Sequence, residues 1–177
     1  MSTKKPTIAP AEGKLGVLTV GLGAVASTLI AGVELAKRGL GAPIGSLTQM
    51  DTIRLGKRTD GRNPLIKDFV PLARIEDIVW GSWDPFPDDA YVAAQRAGVL
   101  ESGKHLEAIS DALRDVRPMK AAFERNYVKN IDADNTMGKI SKREMLNGIR
   151  ADINRFKDEK KVDRLVMIWC ASTEIFI

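Results

Sequence analysis

A glycine-rich stretch near the amino end carries the residue types that hold a phosphate. Residues 21–26 have the sequence Gly-Leu-Gly-Ala-Val-Ala, a G-x-G-x-x-A pattern. Gly21 would permit a sharp reversal of the chain, Gly23 would let a pyrophosphate approach the backbone, and Ala26 would keep a following helix close to a sheet. The N–H groups at the start of that helix and the Ser27 hydroxyl are donors suited to phosphate oxygens. The pattern predicts dinucleotide binding; the alternative is an ordinary glycine-rich turn of an α/β core.

An acidic residue that could hold a ribose is the second feature of interest. In the usual fingerprint it ends the second strand, about 20 residues after the glycines. The second strand predicted here, residues 44–47, has no acid at its end, so Asp51 in the next loop or a residue elsewhere must serve. Asp84 is the other candidate, because it follows the apolar run 78–80 and precedes a Pro-Phe-Pro sequence that stops a strand. Spacing alone leaves a ribose contact and an Asp that caps its own turn equally open.

Small residues near the carboxyl end could border a ligand crevice. Cys170, Ala171, Ser172 and Thr173 follow the apolar run 165–169, which is typical of a parallel strand buried on both faces. We interpret Cys170 as a small buried side chain and not as a nucleophile, because no base is placed beside it.

Two further patterns do not indicate a metal site. His105 has no second His or Cys with which to share a metal. Residues 132–138 resemble a D-x-D-x-T calcium loop, but the glycine falls one place late and Arg143 stands where a glutamate should close the site. We expect His105 on a surface or in helix packing, and 132–138 as a solvated loop.

The uncharged stretch 15–33 is long enough that a membrane span or a secretion signal must be weighed. A run rich in β-branched residues over 15–20 stops at the glycines, and Val25, Leu29 and Val33 then recur at helical spacing. The stretch therefore predicts a strand, a tight turn and a helix, with no membrane segment.

Other apolar patterns predict the remaining elements. Residues 78–80 predict a strand that breaks at Gly81, and helical spacing predicts helices over 90–99, 101–116 and 142–157. The charged run 157–161 is expected to be a solvated turn. Strands that alternate with helices indicate an α/β fold, here a Rossmann-like domain with a parallel sheet flanked by helices.

Composition bounds the organisation and the partners. The chain has 177 residues, of which 44% are hydrophobic, enough for one domain over 14–177 after a flexible leader, 1–13. The net charge of +4 comes from interspersed charges of both signs, which does not suggest a nucleic-acid groove. The single cysteine cannot form an internal disulfide, so we predict a cytoplasmic location.

Six segments, in order along nearly the whole chain, resemble the inositol-3-phosphate synthases, also called myo-inositol-1-phosphate synthases. They are "VGLGAVASTLIAG", "GSLTQMDTIRLG", "GSWDPFPDDAYVAAQRAGVLE", "VRPMKAAF", "GIRADINRFK" and "IWCASTEIF". The Ala-Val-Ala after the glycines is similar to the prokaryotic branch of the family.

The resemblance implies a tightly held NAD that is reduced and reoxidised while glucose 6-phosphate is converted to inositol 3-phosphate. It implies oxidation at C5 of the sugar, an intramolecular aldol step from C6 onto C1, and return of the hydride. It also implies that NAD contacts Gly21, Leu22, Gly23, Ala24, Val25, Ala26, Ser27, Asp84, Ala121, Cys170, Ala171, Ser172 and Thr173. Ser172 stands where many members have Asn, and Ala121 where a serine would align.

Family members are longer homo-oligomers, and their catalytic lysines lie after the Ser-Thr-Glu motif. We therefore expect an amino-terminal portion, truncated before the catalytic and tetramerisation domain, that does not turn over glucose 6-phosphate alone. Lys139, Lys142 and Lys160 are expected to be exposed. Two alternatives stay open: another NAD-binding oxidoreductase with a small substrate, and a non-catalytic α/β interaction module.

Overall fold

The computed structural model of the chain describes residues 12–98, 100, 104–126, 128 and 131–171. Its centre is a sheet of four parallel strands: β1 (Lys14–Val20), β2 (Ile78–Asp84), β3 (Pro118–Lys120) and β4 (Val162–Trp169). They lie in the order β3-β2-β1-β4. This order, in which strands are added on both sides of β1, is that of a Rossmann-like domain, so the predicted fold class is confirmed.

Helices cover both faces of the sheet. Those in the described residues are α1 (Ala24–Lys37), α2 (Leu47–Met50), α3 (Ile66–Phe69), α4 (Ala90–Ala97), α5 (His105–Ala108), α6 (Ser110–Asp115) and α7 (Lys142–Lys160). Buried residues of α1, α4, α5 and α6 share one core cluster, and α7 packs against the opposite face. None of the helices in these ranges is both long and apolar enough to cross a bilayer.

The prediction of a second strand at residues 44–47 is wrong. Ile44 is 84% exposed and α2 begins at Leu47, so this short run between Pro43 and the helix contributes nothing to the sheet. The next strand of the sheet along the chain is β2, which pairs with β1 and runs on through Gly81, where we expected a break.

Gly81 continues the strand because the absence of a side chain makes room for an aromatic ring. A Cβ on Gly81 would lie 2.9 Å from the ring of Phe156, and one on Gly16 would lie 2.8 Å from it. Phe156 of α7 thus packs directly onto the backbone of two neighbouring strands, together with Leu18 and Trp83. Close helix–sheet packing here depends on the two glycines.

The helices depart from the sequence pattern in the face that α1 buries and in the boundaries of others. Val25 and Leu29 are 63% and 37% exposed, and α1 instead buries the adjacent stripe that contains Ala26 and Ile30. The predicted helix over 101–116 is two short helices that meet at Ile109, with 101–103 outside the described residues. Most of the predicted solvated turn at 157–161 belongs to α7, which ends at Lys160. The next residue, Lys161, caps the helix in the left-handed conformation.

Strand β4 forms as predicted but is not buried on both faces. It pairs with β1 alone, so in the described residues its other edge has no neighbour. Its second half is consequently accessible, and Trp169 is 74% exposed. Periodicity identified the strand, but its burial depends on what lies beside it.

Candidate functional site

The glycine turn lies at the topological switch point of the sheet, where the strand order reverses at β1. It joins β1 to α1 at the carboxyl edge, with the ends of β2 and β4 on either side. The Gly21 N–H donates to the carbonyl oxygen of Trp83 at 2.8 Å, and the Cys170 N–H donates to that of Val20 at 2.9 Å. Ligands of open α/β sheets bind at such a switch point.

Gly21 is required by conformation and by space. Its φ is +96°, a region that side chains rarely adopt. A Cβ there would lie 3.0 Å from the backbone nitrogen of Ala171 and 3.2 Å from its Cα. The turn is therefore fitted against the segment that follows β4, which brings Ala171 beside the glycines.

The amino end of α1 is open. Gly23 is the N-cap and no side chain caps the helix; a Cβ on Gly23 would meet nothing within 4 Å. The first intrahelical bond runs from the Ser27 N–H to the Gly23 oxygen at 3.0 Å, so the N–H groups of residues 24–26 have no acceptor within the helix. Ser27 itself is buried, and its hydroxyl donates to the carbonyl oxygen of Ala24 at 3.3 Å. Free backbone donors at a helix start suit phosphate oxygens.

Asp84 occupies the place of the fingerprint acid. It is the last residue of β2, beside β1, and is separated from Leu22 by 62 residues in sequence. One carboxylate oxygen accepts the Leu22 N–H at 2.6 Å, and the other accepts the Phe86 N–H at 2.9 Å. The expected spacing of about 20 residues fails because residues 38–77 separate α1 from β2. Asp51 lies in that intervening segment, not at a strand end.

Two cavities flank the turn. The first, the α1–α4 cavity, has a volume of about 440 Å³ and is lined by the turn, Asp84, Asp88, Arg96 and Cys170, among others. The second, the α7 cavity, has a volume of about 500 Å³ and is mainly apolar; Ala121 and Ala171 line it. Both include Gly21, so the turn separates two spaces at one edge of the sheet.

Asn135 is a supporting residue that the sequence analysis missed. Its side-chain amide donates to the carbonyl oxygens of Asp84 at 2.8 Å and Met119 at 3.1 Å, which ties its loop to the ends of β2 and β3. The predicted solvated loop over 132–138 is a loop, and Asp132 and Asp134 are exposed, but Ala133 is buried, so it is solvated only in part. An Asn in a polar run gives no sequence signal for this role.

The remaining candidate residues differ in how buried they are. Burial raises the pKa of the Cys170 thiol, which packs beside the core cluster of α1 and α4, consistent with a small apolar role. His105 is exposed at the start of α5. Ser172 and Thr173 lie outside the described residues.

A parallel sheet with open helix-start amides at its switch point, and a carboxylate ending the next strand, defines a Rossmann-type dinucleotide-binding protein. The NAD-binding family model described as Myo-inositol-1-phosphate synthase matches residues 15–177. The chain belongs to this family and carries its NAD-binding part.

Individual relatives agree with this assignment. The chain is 45% identical over 174 residues to inositol-3-phosphate synthase 1 of Bacteroides thetaiotaomicron. This alignment covers 98% of this chain and 40% of that protein. It is 33% identical to the inositol-3-phosphate synthase of Candida glabrata, over 93% of this chain and 35% of the relative. The crystal structure of the Caenorhabditis elegans enzyme superposes with a TM-score of 0.79 at 27% identity, over 92% of this chain and 35% of that one. The chain thus spans well under half the length of these relatives.

Proposed function

We propose that the chain binds NAD with the diphosphate at the amino end of α1 and the adenine ribose at Asp84, as the cofactor-binding part of an inositol-3-phosphate synthase. The observation that supports this most strongly is the pairing of an uncapped helix start with a carboxylate at the neighbouring strand end. When bound, NAD supplies a hydride acceptor. The family resemblance makes glucose 6-phosphate the expected substrate.

The hydrogen bonds within the turn indicate which donors and acceptors remain available to the cofactor. The Leu22 N–H is already donated to Asp84, so the phosphate donors are the N–H groups of residues 24–26. Each oxygen of Asp84 accepts one backbone N–H, which leaves lone pairs for the ribose hydroxyls. We assign Ala121 and residues 170–173 to the border of the cofactor. The cytoplasmic location and a homo-oligomeric state stay predictions from the sequence.

Gly23→Ala tests the phosphate site without disturbing the fold. The φ of Gly23 is −82° and its surroundings are open, so the only expected loss of stability is that of a poorer N-cap, about 1 kcal/mol or less. The methyl group would enter the space of the diphosphate and weaken NAD binding by about 1–3 kcal/mol, or roughly 5- to 150-fold. Calorimetric titration with NAD measures the affinity.

Gly45→Ala is the matched control, because a Cβ there also meets nothing within 4 Å and Gly45 lies outside both cavities. It should bind NAD as the wild type does. Equal affinities for the wild type and Gly23→Ala, or no heat from the wild type, would contradict the proposal.

We further propose that conversion of glucose 6-phosphate needs groups other than those that line the two cavities. Among the described lining residues the only cation is Arg96, whereas carbonyl chemistry needs cations placed at developing oxyanions. Lys139 and Lys142 are exposed as predicted, but Lys160 is half-buried and its Nζ lies 2.7 Å from a carboxylate oxygen of Asp115.

The wild-type chain with NAD and glucose 6-phosphate is therefore expected to form no inositol phosphate, as followed by phosphorus NMR. Detection of that product from the isolated chain would refute this part of the proposal. A net rise in NADH absorbance would instead favour another NAD-dependent oxidoreductase, because the synthase cycle returns its hydride.

A further inference from the structure

The α1–α4 cavity continues from the glycine turn along the groove between two helices. Val25 of α1 lines it on one side, and Ala93 and Ala97 of α4 line it on the other. Because residues four apart share a helix face, the two alanines leave a shallow apolar wall opposite the exposed Val25. A space of this form suits a flat ring.

One ion pair stands in this cavity. Nη1 of Arg96 lies 2.8 Å from Oδ2 of Asp88, and both residues line the cavity with Asp84. Asp88 is not used to cap α4, since that role belongs to Asp89, whose carboxylate accepts the Val92 N–H. Asp88 thus remains available to anchor the guanidinium of Arg96 by an ion pair.

Arg96 and the phosphate donors lie on opposite sides of the cavity. The guanidinium of Arg96 pairs with Asp88, which precedes the N-cap Asp89, so it lies near the start of α4 at the carboxyl edge. The free N–H groups belong to the start of α1, which lines the other side. A dinucleotide with its diphosphate at α1 and its ribose at Asp84 would place its base on the α4 side of the cavity.

We infer that Arg96, held by Asp88, stacks on the adenine ring of the cofactor and forms one wall of the adenine subsite. A guanidinium over an aromatic face is favourable, and the chain uses the same contact at Arg114, whose Cζ lies 3.9 Å from the centroid of the Tyr91 ring. This inference rests on the proposed NAD site.

The test measures the affinity of the 177-residue chain for NAD by calorimetry and for adenosine by NMR titration. Arg96→Met should weaken both by about tenfold, because adenosine carries the ring but no phosphate. Arg74→Met is the matched control: Arg74 is also exposed and paired with a carboxylate, that of Glu76 at 3.5 Å, but lies outside this cavity. It should change neither affinity.

Asp88→Asn provides a second variant that keeps the guanidinium but removes its anchor. It should weaken both ligands, and the Asp88→Asn/Arg96→Met double variant should bind no more weakly than Arg96→Met alone, because the two residues act together. A loss confined to NAD would assign Arg96 to the phosphates and overturn the adenine contact. Unchanged affinities in Arg96→Met would overturn it as well but leave the NAD site standing, whereas a wild-type chain that binds no NAD would overturn both.

Discussion

Gly21→Val is expected to abolish measurable NAD binding and to lower the free energy of unfolding by about 2–6 kcal/mol. The φ of +96° costs a β-branched residue of the order of 1–3 kcal/mol. The contact of the new Cβ with the backbone of Ala171, 3.0 Å from its nitrogen, adds an overpacking cost of about 1–3 kcal/mol. Because backbone cannot move aside as a side chain does, the end of β4 must shift away from the turn. Urea unfolding and NAD titration measure the two effects.

Gly39→Val separates the two causes of the Gly21 effect. Gly39 also has a positive φ, +67°, but a Cβ there meets nothing within 4 Å. This variant should pay only the conformational cost and should keep its affinity for NAD. If Gly21→Val loses no more stability than Gly39→Val, the fit between the turn and the end of β4 contributes nothing.

Asp84→Ala is expected to weaken NAD binding by about 100-fold and to destabilise the chain by about 2–3 kcal/mol. The substitution removes the acceptor of two backbone N–H groups. The part-buried bond from Leu22 contributes about 1.5–3 kcal/mol as a bond to a charged group, and the exposed bond from Phe86 contributes less than about 1 kcal/mol. Released from Asp84, the Leu22 N–H no longer fixes the turn against the end of β2, so ribose recognition and the aim of the phosphate donors are lost together. The measurements are NAD titration and urea unfolding.

Asp89→Ala is the control for Asp84→Ala, because Asp89 lies in the same loop and its carboxylate accepts one backbone N–H, that of Val92 at 3.0 Å. Loss of this helix cap should cost about 1 kcal/mol of stability and leave NAD affinity unchanged. Equal NAD affinity for Asp84→Ala and the wild type would exclude Asp84 from the cofactor site.

Local sequence was sufficient for the features whose causes are local. The glycine turn, β1 before it and α1 after it follow from residues within a few positions of one another, and the structure contains all three. The six family segments likewise identified the class of the chain, which the family match confirms. The predicted cofactor contacts stay predictions, since the titrations above are what test them.

Long-range pairing decided the rest. The pairing of β2 with β1 and the exposure of β4 depend on which strands are neighbours in the sheet. The continuation of β2 through Gly81 depends on Phe156, which packs against it. No short window of sequence contains these partners. The same holds for the Asp84–Leu22 bond, the amide of Asn135 and the Asp88–Arg96 pair in its cavity. In a parallel sheet, residues that meet at one edge are far apart along the chain, so the sequence by itself determined the glycine turn, and only the tertiary structure supplied its partners.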